Sequence, residues 1–328
     1  MPDRRSPNYS TISSRAKRAI WFLLAASVFF SVALLSRTHA DPGTPPQRPR
    51  IVAIGSVTIL STNLAAANDF YRLVINPESV CKLCGYTSRR FFGFPTGQKV
   101  ELLEASASTS NLLSEISFVT EDLTKLRKFL EANGIKDENR KSQAVSSRTQ
   151  FVTHDPEGHR ISFAESPYMI STRDLASDAN LVSPVRIIHA GFVVRDRAVE
   201  DKFYKDILGF HVYWHGGMKE GEDNWVDMQV PDGTDWLEYM LRVPENATHK
   251  QLGLMNHIAL GVPDIHVAQA QLIKNGWKGT EEPKIGRDGK WQLNLYDPDE
   301  TRVELMEFKP TKEPCCSPYT GPHPGSKQ

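Results

Sequence analysis

The chain has 328 residues, of which 40% are apolar and 24% charged, with 39 basic and 39 acidic side chains. This is the composition of a soluble globular protein with room for about two domains, and it excludes a low-complexity chain outside the two ends. A formal net charge of zero supplies no broad positive field, so no nucleic-acid partner is expected.

At the N-terminus, Arg15, Lys17 and Arg18 precede an apolar run from Ala19 to Leu35, and Thr38-His39-Ala40 ends in a small residue. Basic, apolar, then small is the order of a secretory signal peptide over residues 1–40. The alternative is an uncleaved anchor that tethers the protein to a membrane through residues 19–35. Either places the folded part outside the cytoplasm, periplasmic or extracellular, since the basic flank stays inside. Residues 1–40 hold six basic side chains and one acidic, so the remainder is net acidic by five. Residues 41–49 (DPGTPPQRP) read as an extended tether.

The rest of the chain repeats itself. Thr120–Gly134 and Val262–Gly276 each place an aspartate (Asp122, Asp264) at a helix N-cap and a glycine 12 positions later at the C-cap. Asp155-Pro156 and Asp297-Pro298 follow 21 positions after those glycines, and Glu165 and Glu307 another 10 after each aspartate. One offset of 142 residues covers all these marks, so two similar domains are expected, about 50–166 and 185–308. Phe70-Tyr71 and Phe203-Tyr204 match at an offset of 133, each early in an amphipathic helix after an apolar strand. Residues 167–184 are the expected linker, and the Pro/Gly/Ser-rich residues 309–328 a disordered tail.

Four cysteines are present. Cys81 and Cys84 are expected as a local disulfide or inert thiols, with a redox or half-zinc role as the alternative. Cys315 and Cys316 are expected to be free or to pair elsewhere.

In the second domain the pattern predicts a strand over 186–194, a helix over 197–208, and strands near 210–215, 224–230 and 236–243. A strand over 255–261, a helix over 265–275 and strands near 278–283, 291–296 and 302–308 follow. This predicts an α+β fold of paired βαβββ modules. His189, Glu238, His257 and Glu304 each lie in one of these strands among apolar neighbours. Singly, each reads as an ordinary strand residue. Jointly, His189 precedes Glu238 by 49 residues and His257 precedes Glu304 by 47, as a pseudo-two-fold site requires. Two buried carboxylates are costly, and one divalent cation bound by both and by two neutral imidazoles removes that cost. Fe²⁺, Mn²⁺, Ni²⁺, Co²⁺, Mg²⁺ and Zn²⁺ all accept such a shell.

With FYKDILGF (203–210), NHIALGVPDI (256–265) and YDPDETRVELMEF (296–308), the chain resembles the vicinal oxygen chelate superfamily of glyoxalases, bleomycin resistance proteins and extradiol dioxygenases. The resemblance implies two tandem domains, each a curved sheet around a cavity. It also implies metal ligands at His189, Glu238, His257 and Glu304. The first domain departs from the pattern: Ser56, Glu115 and Ser162 stand where His189, His257 and Glu304 do, so it is expected to be degenerate.

The resemblance implies a divalent-metal enzyme acting on a small molecule chelated through vicinal oxygens. The first expectation is a glyoxalase- or epimerase-like isomerase or lyase with Glu304 or Glu238 as catalytic base, although Val193 replaces the arginine that recognises glutathione. The alternatives are an iron-dependent extradiol-like dioxygenase using His189, His257 and Glu304, and a small-ligand binding protein. For the dioxygenase, the family's tyrosine before the Asp-Pro turn is missing. Asn294 stands near its place and Tyr296 two positions on, and His211 and His215 are possible substitutes for the acid–base histidine. Trp214, Trp225, Trp236 and Trp291 are candidates for a pocket wall, with core packing as the default, and GRDGK (286–290) for a turn at its mouth.

Overall fold

The computed structural model describes residues 46–75, 89–106, 109, 111–141, 149–165 and 184–325. The expected signal peptide or anchor, Cys81 and Cys84, and nearly all of the expected linker lie outside the described residues. Among the described residues no helix is long and apolar enough to cross a membrane.

The fold is α+β, with two curved sheets flanked by helices. The first sheet has strand order β2-β3-β1-β4-β6-β5. It comprises β1 (Ile51–Ser61), β2 (Arg89–Gly93), β3 (Lys99–Glu104), β4 (Leu113–Thr120), β5 (Gln150–His154) and β6 (Arg160–Ala164). Helix α1 (Leu64–Val74) follows β1, and α2 (Leu123–Ala132) follows β4. Among the described residues each helix is followed by two strands rather than three.

The second sheet runs β12-β13-β14-β11-β7-β10-β9-β8. Its strands are β7 (Arg186–Val193), β8 (His211–Gly216), β9 (Trp225–Gln229), β10 (Trp236–Met240), β11 (His257–Val262), β12 (Lys284–Ile285), β13 (Trp291–Tyr296) and β14 (Arg302–Glu307). Helix α3 (Arg197–Asp201) continues as a π-helical turn over Lys202–Ile207, and α5 (Ile265–Lys274) follows β11. Here the strand–helix–three-strand order is complete twice. The strand expected near 278–283 is instead the two-residue β12. Helix α4 (His249–Met255) was not expected; Thr248 and Gln251 form its capping box.

The repeat marks have the same roles in both copies. Asp122 accepts from Lys125 N, and Asp264 from His266 N and Val267 N. Gly134 (φ 81°) and Gly276 (φ 102°) end the two helices in the left-handed region. Glu165 accepts from Leu123 N and Glu307 from Ile265 N, so each helix start receives two carboxylates.

The two halves also exchange contacts. Tyr204 of the second half donates to Asp155 at 3.0 Å, and Tyr71 of the first donates to Asp297 at 3.4 Å. Gln98 bonds Ile54 O and both polar backbone atoms of Ile187, beside the buried ion pair Arg186–Asp235. One continuous core, including Phe118, Phe163, Phe192, Phe210 and Tyr239, crosses from sheet to sheet. Each such ring contributes roughly 1.5–3 kcal/mol by leaving water.

Residues 309–325 are not a disordered tail. They strap across the second sheet: Cys315 N donates to Arg287 O, Trp214 Nε1 to Cys315 O, and Tyr319 Oη to Asp288 O. Cys315 and Cys316 are joined to each other rather than free.

Candidate metal centre

Four adjacent strands of the second sheet, β14-β11-β7-β10, carry Glu304, His257, His189 and Glu238 in that order. Register gives each large polar side chain a small neighbour. Gly191 lies beside His257 on one strand and Glu238 on the other, and Ala259 lies beside His189 and Glu304. A Cβ added to Gly191 would land on the imidazole of His257. All eight residues of β7 are buried, because one face meets the core and the other faces the cavity.

The four side chains converge. His189 Nε2 lies 3.1 Å from His257 Nε2, 3.9 Å from Glu238 Oε2 and 3.7 Å from Glu304 Oε2. His257 Nε2 lies 3.1 Å from Glu238 Oε2 and 3.9 Å from Glu304 Oε2. Ligands about 2.0–2.2 Å from one ion sit at about these separations from each other. His257 Nδ1 donates to Met255 O at 2.8 Å, which fixes the tautomer and turns the Nε2 lone pair into the cluster.

Burial holds both imidazoles below their ordinary pKa, strongly for His189; at His257 the Arg302 guanidinium adds to it. Burial pushes Glu304 up to about 8, against the pull of Arg302. Burial would raise Glu238 too, but His257, His189 and Arg302 outweigh it and hold its carboxyl low, at about 2. Glu304 Oε1 is buried without a hydrogen-bond partner. His189, Glu238 and His257 each offer a ligand atom within 4.8 Å of the others, Glu304 Oε2 lies 3.7 Å from His189 Nε2, and two imidazoles with two carboxylates suit one divalent ion.

His189, Glu238 and Glu304 line one wall of a cavity of about 370 Å³. Trp214, Trp225 and Trp236 line it, as do Arg287 and Asp288 of the expected mouth turn. Of the accessory candidates, only Asn294 reaches it, opposite Glu304 in register. Tyr296 is 39% exposed at the end of its strand. His215 pairs with Asp223 at 2.7 Å, and His211 meets Gln229 at 3.1 Å. Trp291 packs against His266. A larger cleft of about 1240 Å³, which includes His211, Arg50 and Asp232, receives none of the four converging side chains.

Sequence reasoning missed three residues. Arg302 Nη2 donates to His257 Nε2 at 2.6 Å and lies 3.7 Å from Glu238 Oε2. Its signal was strand alternation, since it stands two residues before Glu304 and shares its face. Asp227 lines the cavity opposite Glu238, its carboxyl raised well above the ordinary range by burial. Lys290 is fully buried, 4.2 Å from the Trp236 ring centroid and about as near Tyr213 and Tyr319. No sequence pattern announces that box, since its third wall, Tyr319, comes from the strap.

The first sheet shows what the same positions do without the histidines. Ser162 donates to Glu115 Oε1 at 2.6 Å, and Arg160 Nε to Glu115 Oε2 at 2.7 Å. Arg160 stands 142 residues before Arg302, so the arginine is present in both copies. In the first copy it pairs with Glu115, and Glu101, across Thr58 from Glu115, has its carboxyl pKa raised by burial.

Residues 186–305 match the model of the Glyoxalase/Bleomycin resistance protein/Dioxygenase superfamily. No curated protein matches the chain by sequence. Among solved structures, a variant of homoprotocatechuate 2,3-dioxygenase from B. fuscum is similar, at TM-score 0.59 and 18% identity over 81% of this chain and 73% of that one. The complex of the Brevibacterium fuscum enzyme with 3,4-dihydroxyphenylacetate gives 0.57 and 19%, over 81% and 83%. The Arthrobacter globiformis enzyme gives 0.58 and 17%, over 82% and 84%. At such identities the likeness is one of fold.

Proposed function

We propose, from the match of residues 186–305 to the Glyoxalase/Bleomycin resistance protein/Dioxygenase superfamily, that the protein is an iron-dependent, extradiol-type dioxygenase that cleaves the ring of a small aromatic diol. The observation that carries this reading is Arg302. Its guanidinium lies within 3.7 Å of Glu238 and also pulls on Glu304, but of the two carboxylates it is Glu304 that keeps a buried oxygen without a hydrogen-bond partner. That leaves His189, His257 and Glu304 as a two-histidine, one-carboxylate face.

Those three residues would hold the ion. Fe²⁺ on such a face supplies open positions for two vicinal oxygens and for dioxygen, and Lewis acidity that favours ionised hydroxyls. The chain's own groups do the rest. Glu238, held anionic, accepts a hydrogen bond from a substrate hydroxyl and orients it. Arg302 and Lys284, both on the cavity wall, place positive charge where the phenolate develops. Trp214, Trp225 and Trp236 flank the ring and exclude water. A cavity of about 370 Å³ suits a single-ring substrate. The shared fold of the homoprotocatechuate enzymes supports the same reading and makes 3,4-dihydroxyphenylacetate the first substrate to try.

The test is oxygen uptake by anaerobically purified, Fe²⁺-loaded protein given a panel of catechols. Uptake equal to substrate consumed, with a ring-opened product, is expected. No uptake, together with isomerisation or elimination by the Ni²⁺- or Zn²⁺-loaded protein, would reverse the assignment. That second reading, a glyoxalase- or epimerase-like enzyme, draws on one observation: Glu238 and Glu304 both lie within 3.9 Å of both imidazoles.

A further inference from the structure

Asp155, His159 and Glu200 come together away from the cavity, where the β5–β6 turn of the first sheet meets α3 of the second half. One potential ligand atom of each lies within 4.8 Å of the others. The Asp155 side chain is fully buried and Glu200 is 0% exposed, whereas the His159 side chain retains 20% of its exposure. Glu200 Oε1 accepts from Glu157 N at 2.9 Å, but Oε2 has no hydrogen-bond partner. Leaving a buried carboxylate oxygen unpaired is costly.

The internal repeat separates what the fold needs from what has been added. Asp155 accepts from Tyr204, and its counterpart Asp297 accepts from Tyr71. That bond therefore belongs to the scaffold. Applying the offsets of 142 and 133, His159 corresponds to Thr301 and Glu200 to Ala67. Ala67 and Thr301 are both buried, so at these two positions the scaffold closes without an imidazole or a carboxylate, the acid beside Asp297 being Asp299 from the turn itself. His159 and Glu200 are extra chemistry in one copy only.

We propose that Asp155, His159 and Glu200 form a second divalent-cation site that ties the two halves together. One imidazole and two carboxylates neutralise a doubly charged ion, and the imidazole selects a transition-type cation of the Zn²⁺ class over Ca²⁺ or Mg²⁺. His159 Nδ1 is within 2.8 Å of Asp155 Oδ2, and Asp155 Oδ1 accepts from His159 N and Glu157 N. The turn is therefore already shaped around the carboxylate. The partly exposed imidazole gives the ion its way in. The competing resolution is a proton on Glu200, whose carboxyl burial and the Asp155 charge raise to about 8.

The test uses the full chain, stripped by chelation and titrated with Zn²⁺ alone. A His189→Ala/His257→Ala double variant removes the first centre. It is expected to bind one equivalent and to gain melting temperature on binding. Adding Glu200→Gln should weaken that binding beyond the roughly ten- to hundredfold typical of outer-shell changes and abolish the gain. His159→Asn, at the partly exposed position, should do the same and covers the case in which Glu200→Gln does not fold. Glu200→Gln alone should leave turnover unchanged. If the double variant binds no Zn²⁺, or either substitution leaves the count at one, the site does not exist and Glu200 is protonated instead.

Discussion

Arg302 Nη2 donates to His257 Nε2 across 2.6 Å, occupying the lone pair that a metal ion would take. The guanidinium is the cation that the cluster has in the absence of metal, and the two positive charges compete. Arg302→Gln is therefore expected to raise metal affinity, by roughly three- to tenfold, which corresponds to about 1 kcal/mol of relieved repulsion. The same change should raise KM for a diol, because the phenolate loses its counter-charge. Isothermal titration with Fe²⁺ under anaerobic conditions and steady-state kinetics read the two effects separately. A parallel loss of metal and substrate would mean that Arg302 only supports the fold.

Gly191 is the space in which the His257 ring lies. Gly191→Ala should rotate that imidazole out of line, lowering metal affinity at least tenfold and destabilising the fold by about 1–3 kcal/mol. Ala259→Gly, at the equivalent place beside His189 and Glu304, opens space instead and should leave the ion bound. Metal content after gel filtration distinguishes the pair.

Removal of the ion should lower stability. A ligand at a hundred times its dissociation constant stabilises the folded state by about 2.7 kcal/mol. Chelation of the loaded protein should therefore bring its melting temperature down by several degrees. His257→Ala should show no such response at the first centre. Calorimetry with and without chelator checks this.

The pH dependence of the metal-free protein has a predictable contribution from Asp297. Burial and the nearby Asp299 raise its carboxyl to about 6, against 3.8 for the ordinary group. The folded state then binds the proton more tightly, so this stability is fully present below about pH 3.8 and is lost as pH rises through about 6. A two-unit shift is worth about 3 kcal/mol at most. Asp297→Asn should remove that slope between pH 4 and 6 in denaturant titrations.

Much of this arrangement was legible in the sequence, for a physical reason. Helix caps, Asp-Pro turns and strand-borne histidines are local signals, and duplication printed them twice in register. His189, His257, Glu238 and Glu304 could be found because each broke the apolar pattern of a buried strand. Arg302 escaped because an arginine near a strand end normally faces water, and only the sheet's register shows it facing the cavity. Lys290 escaped because one wall of its box, Tyr319, comes from the strap, and Asp227 because a strand aspartate normally faces water. A Pro/Gly/Ser-rich segment carries no periodicity, yet Tyr319 and Thr320 fix residues 309–325 to β8 and the 286–290 turn through contacts distant in sequence. His211 and His215 were visible as types, but their partners Gln229 and Asp223 lie on other segments.

The order of the four central strands has a kinetic meaning. Glu304 comes from β14, His257 from β11, His189 from β7 and Glu238 from β10, so no single hairpin or module of the nascent chain can assemble the set. Tight capture of the ion must wait until β14 has docked alongside β11 in parallel register. Bound metal would thus mark molecules that have completed both the β7–β11 and the β11–β14 pairings, and partly folded ones would stay empty.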